Sequence, residues 1–365
     1  MIGEARIVAL GESFHHTHEQ LVLREHLVRH LVSQHGFNVL LLEVLTPGPN
    51  AIDAFVSGGA GGAENALITA GARMWRNHET ASLMRWLRAH NEAKPGAAVS
   101  VQGLDVLAIG SPMRTVLAQA RPADAQRLEA LSYGFDVDGR SDQASYNQLN
   151  EDERAALHRV FADALTALPA GGAAHKAALV VCDALKMLQA GLAGWIEGFA
   201  LRDRAMANAA VRFMDRAGAD AKVIILSHNT HIAALASSTA PSHPPMGAFL
   251  RERYGAGYFA LGAAFGRAQF EPPIYGVGKF EGEYSAADQH LAALNYRAAL
   301  VDLRLADQDQ RLRLQGVGIG PLPYTEYPAL SAFDALAYVD ELTNARQLVD
   351  TELGLDARAV DATRR

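Results

Sequence analysis

The sequence holds one cysteine, Cys182, which excludes an intrachain disulfide and fits a reducing compartment. Cys182 sits in an apolar helical run, where a thiol is a packing group rather than a nucleophile. No apolar run approaches the ~18–20 residues of a membrane span, and the first residues, Met-Ile-Gly-Glu-Ala-Arg, show no basic segment followed by an apolar core. A basic excess is also missing: 33 Lys and Arg face 40 Asp and Glu, a net charge of −7, which argues against a nucleic-acid partner. No Gly-x-Ser-x-Gly elbow, phosphate-binding Gly-x-x-x-x-Gly-Lys loop or helical His-Glu-x-x-His pair occurs. Gly316-Val-Gly318-Ile-Gly320 has the wrong spacing for a dinucleotide loop, and Pro321 stands where a helix would start. These absences leave a soluble, cytoplasmic protein without membrane contact. Its 365 residues, 49% of them hydrophobic, can bury a large core, and nothing in them sets an oligomeric state.

What is present concentrates at the start. An apolar run, Ile7 to Leu10, ends at Gly11, and Glu12, His15, His16 and His18 follow at once. A short apolar run bounded by glycine reads as a buried strand. Thr17-x-x-Gln20 has capping-box spacing, and Leu23, Leu27, Val28, Leu31 and Val32 continue with helical period to Gly36, a good C-cap. A strand therefore opens into a loop carrying one Glu and three His, and a helix follows. In open α/β sheets ligands bind at that end of the strand.

Further along, 38–44 reads as a second buried strand with Glu43 near its far end, before Pro47, Gly48 and Pro49 break the chain. The Gly/Ala-rich piece 58–71 reads as loop or poorly patterned helix. Helical spacing over 75–91 stops at Pro95-Gly96, and 99–104 reads as a third strand ending at Asp105. Residues 113–217 become Ala/Leu-rich and helical, with breaks at Pro122, 134–139 and 169–172. Without a Pro/Ser-rich linker on either side, this is a helical insertion or cap within a single domain spanning 1–365. Residues 222–227 form a fourth strand leading into His228-Asn229-Thr230-His231; 258–264, 299–303 and 336–339 are further strands, and the tail from Asp356 is frayed and charged. The expected fold is α/β: a mainly parallel central sheet flanked by helices, with the helical insertion covering the site. Four strands then end in groups capable of chemistry, Glu12 with His15, Glu43, Asp105, and His228 with His231, and parallel strands would set them along one rim of the sheet.

Two chemistries suit such a rim. A His whose second nitrogen is held by a Glu is a general base poised near neutral pH; it can take a proton from water attacking an ester carbonyl, while Arg24 or a second His stabilises the oxyanion. Alternatively Glu12, His15, His18, Glu43, His228 and His231 are all of metal-ligand type. Trp195 and Phe199 in the helical segment read as core or as pocket lining, with core the commoner fate of helical aromatics.

Leu10-Gly11-Glu12-Ser13-Phe14-His15, with Arg24, His35-Gly36-Phe37 and Leu42-Glu43, resembles the opening block of the erythromycin esterase family. Trp86 to Asn91 with Gly103-Leu104-Asp105, Arg202 to Ala207 with Ser227 to His231, and Arg251 to Gly255 with Phe333 to Leu336 resemble later blocks, so the likeness runs from Arg6 to about Leu342. The resemblance implies a hydrolase that opens an ester or lactone such as a macrolide ring without a serine nucleophile, a required metal or another cofactor. It implies His15 as general base, Glu12 and Glu43 as its carboxylate partners, and Arg24, His228, His231 and Asp105 around the substrate. Where the family commonly shows glycine after the catalytic-type His, this chain has His16; its bulk is expected at the mouth of the site, altering substrate shape or adding a ligand. The chain also begins almost at the first strand, without the leading helical segment of many relatives. Resistance and biosynthetic roles both fit. The competing readings are a metallohydrolase built on the same Glu/His cluster, and a binding protein or tailoring enzyme acting on another metabolite.

Overall fold

All four residues of β1 (Ile7–Leu10) are buried, as an apolar run without polar alternation requires of a strand covered on both faces. The structure, a computed structural model, describes residues 1–45, 51–70, 73–123, 125–136, 141–218, 220–236, 243–268, 286–314, 316–319 and 325–348. The Pro47–Pro49 break, Gly320-Pro321 and the tail from Asp356 lie outside these residues.

Helix α1 (His18–His35) follows β1, then β2 (Val39–Leu45), the helices α2 (Ala51–Val56), α3 (Ala63–Thr69) and α4 (His78–Ala93), and β3 (Ser100–Asp105). Six helices then come without an intervening strand: α5 (Gly110–Ala120), α6 (Ala125–Ser132), α7 (Asp142–Asn147), α8 (Glu151–Ala167), α9 (Ala173–Gly191) and α10 (Trp195–Ala217). Strand β4 (Val223–Leu226) leads through α11 (Asn229–Ile232) and α12 (Met246–Tyr254) to β5 (Tyr258–Ala268). After α13 (Ala286–Ala293) and β6 (Ala298–Asp302) come α14 (Gln308–Arg313), β7 (Gly316–Ile319), β8 (Thr325–Pro328), α15 (Ala329–Ala332) and β9 (Ala335–Leu342). The glycine-rich 316–319 stretch is thus a strand paired antiparallel with β8, not a phosphate loop.

The main sheet has the order β3-β2-β4-β1-β5-β9-β6, parallel throughout except for β6, which runs antiparallel to β9. The expected parallel α/β architecture is therefore present, with one reversed edge strand. From β1 the chain winds toward β2 and β3, whereas from β4 it crosses to β5 on the other side. Neighbouring β1 and β4 thus send their connections in opposite directions, which opens a crevice between the loops that follow them. Val8 and Leu10 point into a core shared with α1 and α4; Ile7 and Ala9 point into a second core with α10 and α12. Leu157, Phe161, Val181 and Leu185 centre a third core among the helices between β3 and β4. Helix α10 serves two of these cores, since Ala205 packs with the helices while Met206, Ala210 and Met214 pack with the strands. No helix of the described residues is long and apolar enough to cross a membrane.

One local reading needs correction. Thr17 occupies the N-cap of α1, but its side chain makes no cap hydrogen bond. Gln20 Oε1 accepts from the Ser13 N–H at 3.0 Å and from the Thr17 hydroxyl at 3.2 Å, and its Nε2 donates to Ser13 Oγ at 3.2 Å, so the expected capping box is spent on tying down the preceding loop. The C-cap is as expected: Gly36 is left-handed (φ 69°) and its N–H donates to the Leu31 carbonyl. The Gly/Ala-rich piece also contains a formed helix, α3.

Gly11, where β1 ends, is held small by a neighbour. A Cβ there would lie 2.1 Å from Asn229 Oδ1, and that amide accepts from the Ala263 N–H and donates to the Ala263 carbonyl, both at 2.9 Å. Gly11→Ala is expected to lower stability by about 1–3 kcal/mol through overpacking and loss of this pairing. Chemical denaturation measures it, and an unchanged midpoint would contradict the assignment.

Candidate active site

Strand order brings the polar strand ends together. β3, β2, β4 and β1 are consecutive neighbours, so Asp105, Glu43, His228 and Glu12 stand in a row at the C-terminal edge of the sheet. All four are buried. Between Leu42 and Leu45 the register of β2 against β3 slips, a bulge that falls at Glu43. Buried carboxylates need cations and donors to remain ionised, and each of these has them.

Glu12 lies between two bases. Its Oε1 accepts from His15 Nδ1 at 2.6 Å and its Oε2 from Arg24 Nη2 at 2.7 Å. Burial opposes the charge of Glu12, but Arg24 and His15 outweigh it and hold the carboxyl below its ordinary value. A carboxylate only accepts, so the contact places a proton on Nδ1 of His15 and makes Nε2 its basic nitrogen. The Arg24 guanidinium stacks over Trp75 at 5.0 Å, and Trp75 Nε1 donates to the Glu43 carbonyl at 3.0 Å.

Glu43 is the hub. Arg202 Nη2 lies 3.0 Å from its Oε1 and His231 Nε2 3.3 Å from the same oxygen; Ser227 Oγ donates to Oε2 at 2.7 Å and the His228 N–H at 2.9 Å. Despite burial, His231 and Arg202 keep its carboxyl well below the usual range. Arg202 also forks onto Asp105, with Nε–Oδ1 at 2.9 Å and Nη2–Oδ2 at 2.6 Å.

The two histidines after β4 are set in opposite states. Nε2 of His228 donates to the Ser13 carbonyl at 2.9 Å, and its Nδ1 accepts from the Thr230 N–H at 3.3 Å, the arrangement of an N-cap. Burial and the nearby His15, 5.0 Å away between ring centres, push its pKa down to about 3. His231 donates from Nδ1 to Asp203 Oδ1 at 2.7 Å. Burial opposes its charge, but Asp203 and Glu43 prevail and lift its pKa to about 10. Asp203 also accepts from His243 Nε2 at 2.8 Å and from the Met246 N–H at 2.9 Å, and its carboxyl is held low in turn.

The structure thus gathers Glu12, His15, Arg24, Glu43, Asp105, His228 and His231 at one rim. His16 differs: its side chain is buried rather than standing at a mouth, and its backbone is left-handed (φ 65°). Glycine adopts that conformation without strain, so a non-glycine residue here carries a conformational cost. His18 turns away, with Nδ1 2.7 Å from Glu79 on α4. Among the described residues no three His, Cys, Asp or Glu are grouped as ligands of a metal ion. Sequence reasoning missed Arg202, Asp203 and His243. The first two lie inside the Arg202–Ala207 motif, which was the available signal; His243 had none. A surface depression bounded by Arg6, His35 and Lys222 lies at the opposite end of the strands, away from these groups.

Comparison with known proteins shows what the chain is similar to. Residues 32–342 match the model of the family described as erythromycin esterase. The erythromycin esterase type II of Escherichia coli is 25% identical over 293 residues, covering 72% of this chain and 69% of that protein. A Bacillus cereus protein of known structure superposes with TM-score 0.77 at 20% identity, covering 95% of this chain and 91% of its own. A succinoglycan biosynthesis protein gives 0.76 at 19%, covering 94% and 90%. A mutant of the erythromycin esterase EreC in its open conformation gives 0.72 at 18%, covering 96% and 93%. At these identities the structural likenesses establish the fold.

A buried His whose pKa is lifted to about 10 holds a proton that an unfolded chain, with His near 6.5, releases. Its stabilisation is complete below about pH 6.5 and is lost as pH rises toward about 10. The stability gap between wild type and His231→Gln is therefore expected to narrow over that window by more than about 1.4 kcal/mol, the equivalent of one pKa unit. Denaturation curves at several pH values read it; a constant gap would contradict the assignment.

Proposed function

We propose, for a chain that belongs to the erythromycin esterase family, hydrolysis of an ester or lactone by water that His15 activates, without a serine nucleophile or a metal. The observation that carries this reading is the Glu12 carboxylate shared between His15 Nδ1 at 2.6 Å and Arg24 at 2.7 Å. It fixes the tautomer in which Nε2 of His15 is the base, as a triad carboxylate does for its histidine.

Nε2 takes a proton from water as the oxygen attacks the acyl carbon, and the carbonyl electrons move onto oxygen. His231, held as a cation between Asp203 and Glu43, supplies positive charge to that oxyanion. The tetrahedral intermediate collapses with cleavage of the acyl–oxygen bond, and the proton on His15 passes to the departing alkoxide, giving acid and alcohol. Two serines close to these groups are committed elsewhere: Ser13 Oγ donates to the Ala263 carbonyl at 2.9 Å and Ser227 Oγ to Glu43. His228, with both ring nitrogens bound within the protein, serves in this reading to brace the Ser13 loop beside His15 rather than to bind substrate.

Macrolide lactones are the first substrates to try, because the Escherichia coli relative is named an erythromycin esterase. Mass spectrometry should show a gain of one water with wild type, unaffected by chelator. His15→Ala should fold and lose about 10²–10⁴-fold in rate, the usual contribution of a general base. A fully active His15→Ala would sink the mechanism, and loss of turnover on chelation would favour a metallohydrolase.

A further inference from the structure

Helix α10 carries the guanidinium of Arg202 into the buried ionic centre, and the same stripe runs outward at spacings of three and four residues through Phe199 to Trp195, the first residue of the helix, with Leu192 nearby in the chain at the end of α9. The outer members are exposed: Trp195 is 64% accessible, Leu192 42% and Phe199 38%. The expectation that helical aromatics are core therefore fails here. Single exposed apolar residues need no explanation, but an exposed aromatic pair in mutual contact that reaches a buried polar centre does.

Its inner end touches the site directly. The Phe199 ring lies parallel to His231 (6.3 Å between centres, 9° between planes), edge-on to His243 at 6.0 Å, and under the Arg202 guanidinium at 5.4 Å. Its outer side meets Trp195 edge-to-face at 5.7 Å. An aromatic step thus leads from the imidazole assigned to the oxyanion out to solvent. The two rings that form the step, Trp195 and Phe199, offer mainly apolar faces, so what they can recognise is apolar surface.

We propose that Trp195 and Phe199 form the specificity platform of this site and receive the large apolar body of the ester or lactone, while its acyl carbon lies toward His15. This rests on the hydrolytic reading above and adds the class of substrate: one whose non-reacting part is bulky and apolar. Each methylene that the platform takes out of water contributes about fourfold to binding, so selectivity should rise with acyl length.

The test compares kcat/KM for p-nitrophenyl octanoate and p-nitrophenyl acetate. In Trp195→Ala the octanoate-to-acetate ratio should fall by about tenfold, carried by KM, and Trp195→Phe should restore most of it. Trp195 is exposed, so these variants disturb little packing. An unchanged ratio, or a fall carried by kcat alone, would overturn the platform. If wild type hydrolyses neither ester, the hydrolytic reading is decided separately by the macrolide assay above. The platform is then judged by fluorescence titration with the p-nitroanilide of octanoic acid. Saturable quenching that disappears in Trp195→Phe supports it; quenching that is absent, or that persists in the variant, overturns it.

Discussion

Glu43 is buried among four donors that come from three different parts of the chain: Arg202 on α10, Ser227 and the His228 N–H at the end of β4, and His231 on α11. A carboxylate at this depth is tolerable only while those partners stay in place. The constraint therefore runs in both directions. The donors keep Glu43 ionised, and Glu43 fixes the positions of α10 and of the loop after β4 against the sheet. Arg202 extends the lock to Asp105 at the end of β3, and His228 extends it to the Ser13 carbonyl in the loop after β1. One connected polar network thus joins four adjacent strands at their C-terminal ends.

That network decides which histidine does what. His228 is confined between a carbonyl that needs a proton from it and an N–H that needs a lone pair, so it is locked neutral. His231 faces Asp203 and Glu43, which favour its charged form and outweigh burial and the Arg202 Nη1 that lies 3.2 Å from its Nε2. His15 is the member nearest the protein's exterior, and its Nδ1 faces Glu12 at 2.6 Å, which sets its tautomer. Three histidines in one crevice are thereby given three different electrostatic surroundings, without any difference in intrinsic chemistry.

Much of this was legible beforehand because buried parallel strands announce themselves. Ile7–Leu10 has its expected bounds, and Glu12, Glu43, Asp105 and His228 stand at strand ends where the apolar runs stop. That these four strands are neighbours was not legible, since order in a sheet is set by crossovers and not by local pattern. Arg202 and Asp203 were hidden for a related reason. They lie inside a long helix, 97 residues from Asp105 and 28 from His231 in the chain, and only tertiary packing turns that helix end toward the rim. His16 was misplaced because its bulk suggested a mouth, whereas the turn it occupies sends its side chain inward. Gln20 shows the same limit on a smaller scale: the capping-box spacing was present, but Ser13 offered it a better partner.

The central claim, that Asp203 and Glu43 favour the charged form of His231 while burial and His15 disfavour it in neighbouring His228, is tested most directly by NMR of the imidazole nitrogens in ¹⁵N-histidine-labelled protein. Single substitutions of His15, His228 and His231 assign the signals. The account predicts that His231 stays doubly protonated up to about pH 9 and that His228 stays neutral, with its proton on Nε2, down to about pH 4. His15 should carry its proton on Nδ1 when neutral. Titration of His228 and His231 together near pH 6.5, the ordinary value for exposed histidine, would contradict it.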